Sequence, residues 1–254
     1  MLNPSSAPVG GCESKSFITL MRTAAIYVCV AFSTLFFSLL AIATSLVTRT
    51  GNPVHRVGRI WSRSILAASG IRVAVSGLER IDPARPYIFM SNHQSNFDIP
   101  VLLAHLPVQF RWLAKAELFN IPVFGRAMRG AGYISIDRAD RDAAFKSLGE
   151  AAATIRKGVA IMIFPEGTRS LDGTLKPFKK GGFVLAVDAG VPIVPVSIRG
   201  THAIMPKRSW IIRPQDVAVE VGEPITTSDC TRATKEALME RVRAAIRRGL
   251  GECG

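Results

Sequence analysis

Apolar residues follow three successive patterns along the chain. Residues 23–48 contain no charged side chain. Residues 53–70 place apolar side chains at intervals of three and four, which predicts an amphipathic helix. From residue 71 onward, short β-rich apolar runs alternate with longer helical stretches. These patterns divide the chain into three parts, namely a polar tail at 1–22, a hydrophobic helical segment at 23–69 and a larger domain at 70–254.

The uncharged stretch is long enough to cross a membrane. As a helix, its 26 residues would extend about 39 Å, whereas the hydrocarbon core of a bilayer is about 30 Å thick. A signal peptide and a buried helix are the alternatives. However, the apolar part of a signal is typically about 7–15 residues long, and no clear small-x-small cleavage site ends this stretch. We therefore expect a retained anchor, either a single span or a re-entrant hairpin.

The basic residues that flank this stretch predict its orientation. They are Lys15 and Arg22 before it and Arg49, Arg56, Arg59 and Arg63 after it. By the positive-inside tendency, the domain that follows faces the cytoplasm, so we expect the protein at the inner, cytoplasmic membrane. The amphipathic helix suits either the plane of a membrane surface or an ordinary face packed on the domain.

The larger domain alternates strand and helix patterns. Its predicted strands are at 71–75, 87–90, 111–114, 133–136, 160–164, 193–198 and 217–221, and its predicted helices are at 100–105, 138–156, 181–189 and 231–248. This alternation indicates an α/β fold, with a mixed, largely parallel sheet flanked by helices. The membrane-anchoring helical segment precedes it.

Charge and cysteine content narrow the possible partners. The net charge of +13 requires an anionic partner, which composition alone leaves open among nucleic acid, acidic lipid and acidic protein. We find no nucleic-acid-binding signature. The four cysteines form no C-x-x-C pair, which argues against a disulfide framework or a zinc site and suits a reducing compartment. Mean hydropathy is +0.25, which is high for a soluble domain.

The stretch SNHQSNFDIP places His93 and Asp98 five positions apart between two apolar runs. In one interpretation, Ser95-x-x-Asp98 is a capping box at the start of a helix, and His93 is a loop residue. In the other, the imidazole takes a proton from an alcohol while the carboxylate holds its tautomer. The second interpretation requires a turn that brings the two side chains together. The spacing alone leaves both open.

Charged side chains also follow other predicted strands. FPEGTRS contains Glu166, Gly167 and Arg169, GYISIDR ends in Arg138, and WLAKAELF contains Lys115. Glycine permits close backbone approach, and a guanidinium offers a planar fork to a phosphate. Because ligands of open α/β sheets bind at the carboxyl ends of strands, the two arginines could converge on one anion.

Taken in order, these stretches resemble the glycerolipid acyltransferases, in particular the bacterial 1-acyl-sn-glycerol-3-phosphate acyltransferases. The H-x4-D block of that family matches residues 92–98, and the block ending in I-D-R matches 132–138. The E-G-T-R-S block lies within 164–170, and V-P-I-V-P-V occupies 191–196. H-x4-D alone is a weak signal, whereas four ordered blocks covering roughly 70–225 are a strong one.

The resemblance implies a glycerolphosphate acyltransferase-like fold and a role for each motif residue. His93 would be the general base, and Asp98 would orient it. The residues that would hold the glycerol-phosphate portion are Arg138, Glu166, Gly167 and Arg169, with Lys115 as a further phosphate contact. No metal and no cofactor are expected, because the co-substrate is a thioester, either acyl-CoA or acyl carrier protein.

The implied reaction moves a fatty acyl group to the sn-2 hydroxyl of lysophosphatidic acid and gives phosphatidic acid. Expected partners are lysophosphatidic acid, the thioester and membrane lipids, with no nucleic acid. Another lysolipid acceptor, such as a lyso-ornithine lipid or a lysophospholipid, is the alternative within the enzyme class. A non-catalytic basic membrane-attached module and a metal hydrolase are the alternatives outside it, although His93 has no second well-placed histidine.

Overall fold

The computed structural model describes residues 10–137 and 139–252, which form a central sheet with helices on both faces. Within these ranges the strands are β1 (Val73–Ser76), β2 (Ile88–Ser91), β3 (Phe110–Lys115), β4 (Ile134–Ile136), β5 (Ala160–Ile163), β6 (Ile193–Arg199) and β7 (Val217–Val221). Their order is β1-β7-β6-β2-β5-β3-β4. Only the β6–β7 pair is antiparallel among these described strands, so the predicted mixed, largely parallel sheet is confirmed.

The helices connect the strands and, at the N-terminus, precede them. In the same described ranges they are α1 (Gly10–Val47), α2 (Asn52–Ser69), α3 (Asp98–His105), α4 (Phe124–Gly130), α5 (Arg141–Arg156), α6 (Gly181–Ala189), α7 (Thr201–Ile204) and α8 (Lys235–Leu250). Two short 3-10 helices occupy Leu78–Arg80 and Ala116–Asn120. The sequence pattern did not predict α4 and α7, because helices this short leave no clear apolar period. Helix α5 begins at Arg141 rather than at 138, since the Asp140 carboxylate caps the backbone N–H groups of Asp142 and Ala143.

The central strands are buried on both faces, which explains their continuous apolar sequences. Side chains alternate across the pleat, so Ile88 and Met90 enter one core and Phe89 enters the other. Met90 lies opposite Ile163 on one side and Pro195 on the other. A strand that is covered on both faces has no solvent-facing positions for polar side chains, as is typical of parallel sheets.

The parallel strands place several loops at one edge of the sheet. Strands β2 to β6 run in the same direction, so their carboxyl ends meet at this edge. The segments that follow β2 and β5 are neighbours there, because these two strands pair directly. The His93 stretch and the Glu166 stretch therefore face each other across the sheet edge.

Helices α1 and α2 form an antiparallel hairpin that packs against the domain. Trp61 Nε1 donates to Thr34 Oγ1 at 3.1 Å, within the hairpin. Near the middle of α1, Tyr27 donates to the carbonyl of Trp210 at 3.0 Å. Residues Phe17–Val47 are long and apolar enough to cross a membrane by length and composition. One side of α1 is nevertheless in contact with the rest of the chain, while its other side exposes large apolar side chains such as Phe32 (72% exposed).

Asn92 fastens the end of β2 to β6. It is fully buried, its Nδ2 donates to the Ile198 carbonyl at 2.9 Å, and its Oδ1 accepts from the Ile198 N–H at 2.8 Å. A side-chain amide thus continues the ladder one step beyond the strand. The main chain immediately before His93 is therefore held in place.

Replacing Asn92 with alanine leaves the Ile198 N–H and carbonyl unpaired in the core. We expect Asn92→Ala to lower the free energy of unfolding by about 3 kcal/mol, as measured by chemical denaturation in mild detergent. Asn96→Ala, at an exposed position of the same loop, serves as the control and should change it by less than about 0.5 kcal/mol. Equal stability of the two variants would contradict the role given to Asn92.

Candidate active site

His93 and Asp98 meet in a turn between β2 and α3. His93 Nδ1 lies 2.7 Å from Asp98 Oδ2. The same carboxylate oxygen accepts from the backbone N–H of Gln94 at 2.7 Å and of Ser95 at 2.9 Å. The turn is therefore folded around one carboxylate oxygen, which satisfies the geometric requirement of the catalytic interpretation.

The capping interpretation is met in part. Asp98 accepts from the Ser95 N–H, which is one half of a capping box. Ser95 Oγ instead accepts from the Phe97 N–H at 3.3 Å and donates to the Met205 carbonyl at 2.9 Å. Asp98 thus opens α3, closes the turn and orients the imidazole at once. The two interpretations describe the same side chain.

The imidazole of His93 is held between a carboxylate and an aromatic ring. Its plane stacks on Phe164, with centroids 3.9 Å apart and 9° between the planes, and Trp112 stacks on Phe164 at 5.4 Å. The His93 side chain is 14% exposed, whereas that of Asp98 is fully buried. Because a carboxylate accepts, Nδ1 carries the proton, and the lone pair of Nε2 is the one a substrate can meet.

Glu166 braces the main chain of His93 from the loop after β5. Its Oε1 accepts from the His93 N–H at 2.6 Å, and its Oε2 accepts from the Lys176 N–H at 2.9 Å. In return, the Ser170 N–H donates to the His93 carbonyl at 2.8 Å. Burial raises the pKa of Glu166 to about 7, while the two backbone donors oppose that rise. Glu166 is only 3% exposed, and both of its carboxylate oxygens are occupied by backbone N–H groups.

The other residues expected to bind substrate lie around the same edge. Gly167 has a φ of 74°, a conformation that favours glycine. Arg169 is half-buried, and its carbonyl accepts from Lys207 Nζ at 3.2 Å. Lys115 ends β3 and pairs with Glu117 at 2.6 Å. Arg138 lies outside the described residues. Substrate contact by these four residues, and by Glu166, stays a prediction.

Several groups that shape the site carried no recognisable signal in the sequence. Phe164 was visible only as the last residue of an apolar run, and nothing in that run indicates a ring beneath an imidazole. The backbone of Lys176 reaches Glu166 from ten residues away through a loop. Lys207 joins the Arg169 loop from beyond β6. Only the folded chain brings these segments together.

The arrangement is suited to proton transfer by an oriented imidazole. A neutral histidine that donates Nδ1–H to a buried carboxylate presents Nε2 as a base, and the carboxylate stabilises the imidazolium that forms. Within residues 10–137 and 139–252, no three His, Cys, Asp or Glu side chains come close enough together to hold a metal ion. The expectation that no metal is needed remains an expectation.

The raised pKa of Glu166 has a consequence for stability. Between its ordinary value of 4.5 and about 7, the folded protein holds a proton that the unfolded chain has lost. The free energy of unfolding should therefore fall as pH rises through this window. The free energy of unfolding of the wild type minus that of Glu166→Gln isolates the effect, and we expect this difference to decrease with pH. Denaturant titrations across the window measure it. A difference that is flat, or that grows with pH, would show that the Glu166 carboxyl is not buried in this way.

Curated relatives share the sequence over most of this chain. It is 37% identical over 185 residues to the chloroplastic 1-acyl-sn-glycerol-3-phosphate acyltransferase BAT2 of Brassica napus, covering 72% of this chain and 53% of the relative. It is 35% identical over 213 residues to the human 1-acyl-sn-glycerol-3-phosphate acyltransferase alpha, covering 84% of this chain and 75% of the relative. The chain thus spans about half the length of the chloroplastic relatives.

A solved structure matches nearly the whole fold. The 1-acyl-sn-glycerophosphate (LPA) acyltransferase PlsC of Thermotoga maritima superposes with a TM-score of 0.81 at 30% sequence identity, covering 93% of this chain and 96% of that one. A family model described as Acyltransferase matches residues 72–199, which include His93, Asp98 and Glu166. The chain therefore belongs to the acyltransferase family, together with these 1-acyl-sn-glycerol-3-phosphate acyltransferases.

Proposed function

We propose that the chain transfers a fatty acyl group from a thioester to the sn-2 hydroxyl of 1-acyl-glycerol-3-phosphate and so forms phosphatidic acid. The observation that carries the proposal is the His93–Asp98 pair, whose Nδ1 and Oδ2 atoms lie 2.7 Å apart at the carboxyl edge of the sheet. The chain that contains this pair matches a bacterial LPA acyltransferase over nearly its full length. The names of the relatives support the same acceptor and the same reaction class.

The reaction needs a base at the acceptor hydroxyl. His93 Nε2 takes the hydroxyl proton while the oxygen attacks the thioester carbonyl, and Asp98 stabilises the imidazolium. When the tetrahedral intermediate collapses, the C–S bond breaks. The His93 imidazolium returns its proton to the departing sulfur, which leaves as the free thiol. Because the acceptor alcohol is the nucleophile, no acyl-enzyme forms. General-base help of this kind contributes on the order of 10²–10⁴-fold.

Both substrates of this reaction are anionic, which agrees with the basic surface of the chain. Arg169, with Arg138 and Lys115, is proposed to hold the phosphate of the acceptor. The phosphates of CoA or the acidic surface of acyl carrier protein would meet other parts of a chain that carries a net charge of +13. The thioester is a co-substrate, and no resident cofactor is required.

Comparing the turnover of purified lysolipids tests the identity of the acceptor, since a lyso-ornithine lipid or a lysophospholipid with a larger head group is the alternative.

The helical hairpin of α1 and α2 is proposed to attach the enzyme to the membrane that contains its lipid substrate. Contacts from Tyr27 to the domain and from Thr34 to α2 run along one side of α1. A helix held along its length in this way favours insertion of its exposed apolar side into one leaflet over a free-standing span. The basic residues that follow α1 favour the cytoplasmic face of the inner membrane.

Removing the base should abolish acyl transfer. We expect His93→Ala to lower kcat for phosphatidic acid formation by at least about 10²-fold, because the hydroxyl then has no proton acceptor. His105→Ala provides the control, since that half-buried histidine lies on α3 with its Nδ1 on the Val101 carbonyl. Radiolabelled lysophosphatidic acid and thin-layer separation of the product measure both. Normal turnover by folded His93→Ala would remove His93 as the base.

Placing charge on the exposed side of α1 should release the protein from lipid. Phe32, Leu35 and Phe36 are all at least 50% exposed. Each aspartate there is expected to cost roughly 2.5–3.5 kcal/mol if it enters the hydrocarbon. We expect the triple aspartate variant to move from the vesicle pellet to the supernatant in co-sedimentation. Phe145→Asp on α5 is the control and should stay bound. Retention of the triple variant would contradict attachment through this side of α1.

A further inference from the structure

The peptide unit between Leu175 and Lys176 lies between two opposite charges. Its carbonyl, that of Leu175, accepts from Arg243 Nη2 at 3.0 Å. Its N–H, that of Lys176, donates to Glu166 Oε2 at 2.9 Å. The carbonyl and N–H of a trans peptide point in opposite directions, so the guanidinium and the carboxylate stand at the two ends of one peptide dipole. Both hydrogen bonds are charge-assisted, and each polarises the other.

This peptide is the middle step of a continuous path from α8 to the imidazole. Arg243 projects from α8, and Glu166 Oε1 accepts from the His93 N–H at 2.6 Å. His93 then carries the imidazole that meets Asp98. The path therefore joins the C-terminal helix to the main chain of the base through three hydrogen bonds, and Arg243 does not need to contact the imidazole.

Arginine is suited to this position by its shape. Nη1 donates to the Lys176 carbonyl at 2.7 Å, so one planar fork holds two successive carbonyls of the loop. The guanidinium also lies 5.5 Å from the centroid of the Phe178 ring. Lysine, with a single flexible ammonium, would hold one carbonyl at a time.

Helix α8 provides a rigid base for this arginine. Val242 and Ile246, on either side of Arg243, are fully buried in the core. Ser197 Oγ on β6 donates to the Ile246 carbonyl at 2.9 Å, which ties α8 to the strand beside β2. The loop that contains Lys176 is therefore attached to a helix that is packed into the core and hydrogen-bonded to β6.

We propose that Arg243 is a positioning residue for acyl transfer: it fixes the 175–176 peptide unit and, through that peptide and Glu166, the main chain of His93. The proposal rests on the proposed function, because the effect is read in the turnover of lysophosphatidic acid. Arg243 is not a catalytic residue, since its guanidinium is occupied by two carbonyls and a ring. Its contribution is to keep the base where Asp98 orients it.

The same path links Arg243 to the charge on Glu166. The groups that act on this carboxylate are Asp98 and the His93 N–H from the turn after β2, and Lys176 from the loop after β5. Ionised Glu166 accepts from both backbone N–H groups, whereas a protonated carboxyl must turn one oxygen into a donor. Without Arg243 the Lys176 N–H is less firmly directed at Glu166, so the carboxylate loses stabilisation and takes up its proton at higher pH.

Arg243→Met removes the fork but keeps the apolar stem. We expect kcat for lysophosphatidic acid to fall about tenfold, the effect of roughly one charge-assisted hydrogen bond, with KM nearly unchanged. The acidic limb of the kcat–pH profile should move to higher pH. Arg243→Lys should recover part of the rate. Arg241→Met is the matched control, because this arginine is on the same helix but pairs with the exposed Asp229 at 3.4 Å.

The outcomes separate this proposal from the proposed function. If the wild type does not acylate lysophosphatidic acid with either acyl-CoA or acyl carrier protein, the proposed function fails. If the wild type turns over and Arg243→Met keeps the same kcat and the same pH profile, the positioning role fails. If Arg243→Met and Arg241→Met lose melting temperature and activity in equal proportion, with no shift in the pH limb, Arg243 is only structural and the proposal is overturned.

Discussion

One buried carboxylate oxygen, Asp98 Oδ2, is the interaction on which the active site depends. It accepts from the His93 imidazole and from the backbone N–H groups of Gln94 and Ser95, all within 2.9 Å. A buried charge is costly unless it is hydrogen-bonded, so these three donors hold the turn in a single conformation. The position of the imidazole on Phe164, and the direction of Nε2, follow from that turn.

The supports of this turn come from successively more distant parts of the fold. Parallel pairing of β2 with β5 brings the two motif loops to one edge. Glu166 then fixes the main chain of His93, and Asn92 fixes the residue before it. Tyr27 on α1 donates to the sulfur of Met205, whose carbonyl accepts from Ser95 in the turn, so the hairpin of α1 and α2 contacts the same region. The chain thus combines a firmly held, largely buried imidazole with an exposed apolar surface, which suits the proposed reaction between a lipid alcohol and a thioester.

The sequence predicted those features that arise from continuous local patterns. All seven strands, α3 and α6 were found near their observed bounds, because buried parallel strands are short apolar runs between turn residues. The ordered motifs identified His93, Asp98 and Glu166, but the brace that Glu166 provides could not be read from them. Its partner, the Lys176 N–H, is a backbone group, and Arg243 is one arginine among many on α8. The attachment of α1 to the domain depends on tertiary contacts that hydropathy does not contain.

The central claim is that His93 activates the acceptor hydroxyl directly, so that both substrates must be present before the thioester is cleaved. Thiol release from acyl-CoA and from acyl carrier protein, measured in a rapid-quench experiment with and without lysophosphatidic acid, tests it most directly. The account predicts release only when lysophosphatidic acid is present, in a one-to-one ratio with phosphatidic acid. A burst of thiol in the absence of the acceptor would reveal an acyl-enzyme and contradict the account.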